Sequence, residues 1–530
     1  MKSSIKNCFY LMGMLAVGLT TGCTPTDTTP KETDSDLRYY VENLPFEIGA
    51  IARPRIDSYV QLLTDFGGVG DGITDNTEAF AKGMKAVSKM GGGTLRVPHG
   101  VWLTGPIVFE DNVNLELTDG AVIYFSGNFD DYPIVDCYFE GLKTRRCQSP
   151  ISARGKKNIS ITGFGTIDGH GDAWRWIRRS KLTEGQWKES QTNGGVVGVI
   201  DGSEIWAPSQ AILDALRQAN MNVVQFDNDE DWHKYRDFLR PVLLDFDSCQ
   251  NVLIEQVCFQ NSPAWCLHPF RCENVVISDI LVVNPWYSQN GDGLDLESSN
   301  NVLIINSKFD VGDDAICLKS GKDEDGRSLN TPCQNVVVDG CSVYHGHGGF
   351  VVGSEMSSSV KNICVRNCTF LGTDVGLRFK SKRGRGGCVS NIHIDNINMI
   401  GIETDCILFD LNYSGLSASE ERALHIKKDI SLDNVPPVDE TTPQFKDIFI
   451  SNVTCKGCER AMYFNGLPEM PITNINIKNA TITSDIGLVV NHSEKINIDN
   501  VQLTLPEGEP DYTTFNIKDL VVNGDTIRNN

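Results

Sequence analysis

From about residue 110 the chain alternates. Short runs with apolar, often β-branched, side chains at every second position recur along it, most of them opened by asparagine. They start at Asn251 (NVLIEQVCF), Asn274 (NVVISDILV), Asn301 (NVLIINSKF), Asn335 (NVVVDGCSV), Asn362 (NICVRNCTF), Asn391 (NIHIDNINM) and Asn474 (NINIKNATI), with similar runs at Asp447 and Lys495. Alternation at period two predicts strands. Successive starts from Asn251 to Asn391 are 23, 27, 34, 27 and 29 residues apart. A unit of that length predicts a solenoid in which each coil packs on the next. The expected fold is all-β, a right-handed parallel β-helix whose asparagines stack as a ladder at equivalent turns. A β-sandwich would show hairpin turn signals instead.

Two stretches break the period and read as long loop insertions on one edge of the solenoid, near 172–240 and 414–446. The first holds Trp174, Trp176, Trp187 and Trp206 and a helical pattern near Ala211 to Ala219. Edge insertions commonly build substrate walls. Ahead of the repeats, Thr77, Ala79, Phe80, Gly83, Met84 and Val87 follow helical spacing until Gly91 to Gly93 stop it, which predicts an N-terminal capping helix. The expected organisation is therefore a cap at 61–109, a β-helix at 110–505 and a C-terminal end at 506–530.

A second strand aligns across four consecutive coils: Gly293-LDLES, Ala315-ICLKS, Gly349-FVVGS and Gly376-LRFKS. Stacked coils put equivalent positions about 4.8 Å apart. Asp292 then falls on Asp314, and Asp313 near His347. Third positions are Asp295, Cys317, Val351 and Arg378; fifth positions are Glu297, Lys319, Gly353 and Lys380. Third and fifth positions share a face, so carboxylates, a histidine and cations converge on one patch. Carboxylates this close cannot all ionise independently, so at least one is expected to hold its proton. That split suits glycoside hydrolysis, which needs one acid for the leaving oxygen and one carboxylate base for water.

Charge narrows the partners. The formal net charge is −22 and the pI about 4.8, which disfavours nucleic acid and anionic membranes. Against that background the run Arg378-Phe-Lys-Ser-Lys-Arg-Gly-Arg385 is a local cationic patch one or two coils from the carboxylates. Arginine grips a carboxylate through two parallel hydrogen bonds and lysine adds a point charge. The expected substrate is a uronic acid polymer.

These residues resemble the polygalacturonase family, glycoside hydrolase family twenty-eight. Its four signature segments appear in order as Asn290-Gly-Asp292, Gly312-Asp-Asp314, Gly346-His-Gly348 and Arg378-Phe-Lys380. The resemblance implies that Asp313 is the general acid, that Asp292 and Asp314 activate water, and that His347 supports the acid. It implies that Asn290, Gly346, Gly348, Arg378 and Lys380 contact a galacturonate of pectin, that anomeric configuration inverts, and that no cofactor or metal takes part. One departure is Gly291, where the family usually has threonine. Within the resemblance, a rhamnogalacturonan or pectin side chain is an alternative substrate. A pectate lyase and a non-catalytic carbohydrate-binding β-helix are the rival readings outside it.

Lys2 and Lys6, the apolar run from Phe9 to Leu19 and Thr20-Thr21-Gly22-Cys23 resemble an export signal ending in a bacterial lipobox, with Thr20 where leucine is usual. The expectation is a signal peptide at 1–22 and Cys23 lipidated at the head of a flexible tether and N-terminal segment, 23–60. It carries with it a monomer in the periplasm or at the cell surface, anchored to the outer membrane of a Gram-negative bacterium. Of 17 cysteines, the pairs Cys137/Cys147 and Cys364/Cys368 are candidate disulfides.

Overall fold

A computed structural model describes residues 30–529 apart from 193, 220, 221, 417, 426, 427, 429 and 430. Cys23 and the export signal lie outside the described residues. The body is a right-handed parallel β-helix. Strands Leu244–Asp247, Leu267–Phe270, Leu294–Glu297, Asp314–Lys319, Gly348–Gly353, Leu377–Lys380 and Asp405–Asp410 pair successively in parallel along one face. The asparagine-opened strands form a second parallel ladder, from Lys157–Gly163 through Cys388–Ile400.

Asparagine opens those strands because the turn needs a left-handed residue. Asn251, Asn274, Asn301, Asn335, Asn362 and Asn391 all have φ between 55° and 63°, a region asparagine tolerates better than most side chains. Their amides join coil to coil: Asn251 donates to Asn158 (2.9 Å), Asn274 to Asn251 (3.2 Å), Asn362 to Asn335 (2.9 Å) and Asn391 to Asn362 (2.8 Å). The ladder slips once, where Asn335 donates to Asn300 rather than Asn301. Inside the coils, leucine, isoleucine and phenylalanine columns fill the core; Phe379 stacks on Phe409 at 4.6 Å and Phe409 on Phe464 at 5.2 Å.

Several expected boundaries move. The coils run past both expected limits: Val60–Leu62 already pairs in parallel with Gly93–Val97, and Tyr512–Val522 with Ile472–Thr504. The early strands are short and separated by the helix Thr77–Lys89, which hides their period. That helix turns Phe80, Met84 and Val87 into the core. The N-terminal segment that ends the 23–60 stretch docks on the coils. Leu37 and Ile51 are buried against Leu253, Val276, Leu303 and Val337, and Arg53 pairs with Glu255 at 3.2 Å. Neither candidate disulfide forms. Cys137 faces Thr144 and Cys147 faces Ile134 across a hairpin, while Cys364 and Cys368 share one strand.

The first insertion folds as a small body. A three-stranded antiparallel sheet (Ile177–Arg178, Val196–Ile200, Ser203–Ala207) packs with helices Gln210–Leu216 and Asp229–Lys234. Trp174 and Trp176 are buried in its core, and Trp187 is buried as well. Trp174 and Trp176 hold the wall together, and Trp176 also reaches the cavity described below.

Candidate active site

The four aligned segments stack in the expected register. Asp295 lies opposite Cys317, Cys317 opposite Val351, and Val351 opposite Arg378; Asp314 lies opposite Gly348. Second and fourth positions face the core, so third and fifth positions point outward. Asp292, Asp313 and Asp314 each bring one oxygen within 4.8 Å of the others. His347 Nδ1 is 2.9 Å from Asp313 Oδ1. Arg378 Nη1 and Lys380 Nζ reach the two oxygens of Asp314 at 3.2 and 2.7 Å, beside the ring of Tyr413.

This changes two expectations. Arg378 and Lys380 do not stand as free cations awaiting a substrate carboxylate; both are buried and hold Asp314. Burial pushes Asp314 up, but Lys380 and Arg378 outweigh it and keep its carboxyl below the ordinary range. The retained proton also falls elsewhere than expected. Burial, reinforced by Asp295 and Asp313, pushes Asp292 well above the carboxylate range, and its Oδ1 is buried without a hydrogen-bond partner among the described residues. Asp313, the expected acid, is raised by burial but lowered more by His347, Lys380 and Lys181, so it is ionised in the free protein. His347 moves the opposite way, lowered by burial and raised more by Asp313. The two shifts are opposite sides of one contact, Nδ1 to Oδ1, and belong to the pair.

Three carboxylates at this spacing could ligate a cation. Arg378 and Lys380 already cancel the charge of Asp314, however, and a gap of at most 4.8 Å between oxygens accepts a water bonded to two of them.

The remaining expected residues shape the site. Asn290 sits at φ 53°, and its Oδ1 accepts from Arg240 Nη2 at 3.1 Å. A Cβ on Gly346 would lie 2.8 Å from the carbonyl of Asp313, and one on Gly348 would lie 2.4 Å from Val351. Both glycines allow His347 to approach the acid. Gly291 has its own cause: a Cβ there would fall 1.8 Å from Ser288 Oγ. Ser288 takes the space a threonine would need.

The two insertions line the cavity, as walls expected from the sequence, but sequence reasoning missed a hairpin. The hairpin Ile134–Phe139/Leu142–Cys147 crosses the outward face over the coil of Trp265, one coil before Asp292. Its tip is tied to the far side, where the Lys322 amide donates to the Gly141 carbonyl (3.0 Å) and the Lys143 amide donates to Asp325 Oδ2 (3.0 Å). The insertion braces it through Asn222, which donates to Glu140 at 2.6 Å. Phe139 against Trp265, ring centroids 5.0 Å apart, separates the site from a second hollow beyond. On the rim, Arg178 and Glu420 join the two insertions at 3.0 Å. The carboxylates therefore stand in a cavity of about 610 Å³ closed on one side. Below them Lys319 is held by Glu355 (2.9 Å) and Asp295 (3.5 Å).

The model of the family described as "Glycosyl hydrolases family 28" matches residues 227–446, the stretch that carries all four motifs. A "Probable polygalacturonase" of Vitis vinifera is 27% identical over 432 residues, covering 79% of this chain and 73% of its own. An "Exo-poly-alpha-D-galacturonosidase" of Dickeya chrysanthemi is 25% identical over 488 residues, covering 88% and 74%. Among solved structures, a hyperthermoactive exopolygalacturonase from Thermotoga maritima superposes with a TM-score of 0.67 at 28% identity, covering 88% of this chain and 93% of that one. A Yersinia enterocolitica family 28 exopolygalacturonase reaches 0.70 at 21% identity over 89% and 80%, a likeness of fold. Motif geometry, family match and relatives agree: the chain is a polygalacturonase-like glycoside hydrolase, similar over residues 227–446 to family 28.

Proposed function

We propose that this enzyme removes galacturonic acid units from one end of a polygalacturonate chain by single-displacement hydrolysis. The observation that carries the end-attack reading is the closed cavity: the hairpin tip tied to Lys322 and Asp325 stops a polymer from running past Asp292. Polygalacturonate as substrate rests on the relatives and on the two buried cations beside the carboxylates.

In this reading Asp313 protonates the glycosidic oxygen with the proton it shares with His347. Water held between Asp292 and Asp314 attacks the anomeric carbon and gives its proton to that dyad. A uronate carboxylate competes with Asp314 for Arg378 and Lys380. As those cations turn toward substrate, Asp314 regains the basicity they suppress, so binding and activation are linked. Asn290, Gly346 and Gly348 shape this pocket around the sugar.

Chromatography of products from a defined oligogalacturonate tests end attack. The intact enzyme is expected to release monomer from the first time point. Shortening the hairpin tip at Glu140 to Lys143 should open the groove and add longer oligomers to the early products. Mixed oligomers from the intact enzyme would overturn the reading, and release only from a rhamnose-containing polymer would move the substrate within the family.

We also read the chain as exported and lipid-anchored through Cys23, on the strength of its N-terminal pattern. Incorporation of labelled palmitate that disappears in Cys23→Ser is the expected result.

A further inference from the structure

Lys181 belongs to none of the four motifs. It ends a single turn, Arg179–Lys181, inside the first insertion, 166 positions before His347. Yet its Nζ lies 3.3 Å from His347 Nε2, while His347 Nδ1 lies 2.9 Å from Asp313 Oδ1. An ammonium donates and cannot accept. In this contact Nε2 must therefore accept, which leaves the ring hydrogen on Nδ1, donated to Asp313.

We propose that Lys181 is a positioning residue for the acid: it holds His347 as the Nδ1–H tautomer and works against an imidazolium, so that the proton shared by the pair resides on Asp313 when substrate is bound. The inference rests on the assignment of Asp313 as the acid. The charge sits against Nε2, where an imidazolium would carry its second proton. The charged groups facing the ring are Asp313 from the neighbouring coil, Asp374 from the following coil and Lys181 from the insertion. Both aspartates favour the imidazolium, and Lys181 opposes them. For an acid to work, its proton must lie on the oxygen facing the leaving group. A histidine donating from Nδ1 to Oδ1 leaves the other oxygen to carry it. The insertion thereby does more than wall the cavity, because its first turn completes the proton-donating group.

The test uses the full-length enzyme on trigalacturonate, with kcat and KM measured across pH for Lys181→Met, Lys181→Gln and Lys181→Arg. In Lys181→Met the opposing charge is gone, so the pair should keep its proton to higher pH. The alkaline limb of the kcat profile is expected to move upward, with kcat at the wild-type optimum down about tenfold and KM within about twofold. Lys181→Gln retains a donor to Nε2 without the charge and should move the limb while keeping more of kcat. Lys181→Arg should restore both. An unmoved limb in Lys181→Met and Lys181→Gln overturns the proposal, as does a loss confined to KM, which would make Lys181 a substrate contact. The underlying assignment is separated by Asp313→Asn: if that variant stays active, the acid reading fails whatever Lys181 does.

Discussion

Arg240 Nη2 lies 3.1 Å from Asn290 Oδ1, and its Nη1 takes the carbonyls of Gln289 (2.8 Å) and Pro263 (3.0 Å). One buried guanidinium from the end of the insertion thus bolts down the loop that leads into Asp292. Buried carbonyls that lose their donor cost about 1–3 kcal/mol each, although Asn284 also holds the loop through the carbonyls of Gly291 and Asp292, both at 3.2 Å. Arg240→Met is expected to lower kcat about a hundredfold, the scale of an ångström-sized misplacement of a reacting group. Full activity in that variant, measured as uronate release beside an unchanged melting temperature, would remove Arg240 from the account.

Gly291 and Ser288 form a steric pair. Gly291→Thr puts a Cβ 1.8 Å from Ser288 Oγ and 2.7 Å from its Cβ, so the single substitution should displace the loop and cost most of the activity. Ser288→Gly/Gly291→Thr removes both contacts and should recover it. A double variant no better than the single one would show that the threonine is excluded for another reason.

His268 makes the stability depend on pH in a fixed direction. It is buried between Asp245 (3.2 Å) and Glu297 (2.9 Å); burial lowers its pKa, but the two carboxylates raise it to about 10. A group whose folded pKa exceeds its unfolded value, about 6.5 for histidine, stabilises fully below that unfolded value and loses its contribution as pH rises through the folded one. The melting temperature should therefore fall between about pH 6.5 and 10. His268→Asn should melt lower at pH 6.5 and show a flatter fall. Parallel curves for the two proteins would contradict the assignment.

What could be read from the chain, and what could not, follows from how each residue reaches the site. Asp292, Asp314, His347 and Arg378 come from four consecutive parallel coils, where in-register stacking turns a sequence alignment into a list of neighbours. The asparagine ladder was legible for the same reason, whereas the left-handed turns that make asparagine the residue of choice came only with the structure. Lys181, Arg240 and the hairpin 134–147 come to the carboxylates by tertiary packing of irregular chain, with no repeat to index them. Charge states were also beyond the alignment. It brings three aspartates together, but burial beside Asp295 and Asp313 is what pushes Asp292 up, while His347, Lys380 and Lys181 hold Asp313 down.

The stereochemistry of the first product tests the central claim most directly. The three carboxylate oxygens lie within 4.8 Å of one another, tighter than the roughly 6.5–9.5 Å usual for inverting pairs and nearer the roughly 5–5.5 Å at which a carboxylate acts as nucleophile. The account nonetheless places a water, and no covalent sugar, between Asp292 and Asp314. Proton NMR of trigalacturonate during the first turnovers should show saturated monogalacturonate appearing as the β anomer, which then mutarotates. Initial formation of the α anomer would establish double displacement, and an unsaturated uronate would establish elimination; either result contradicts the account.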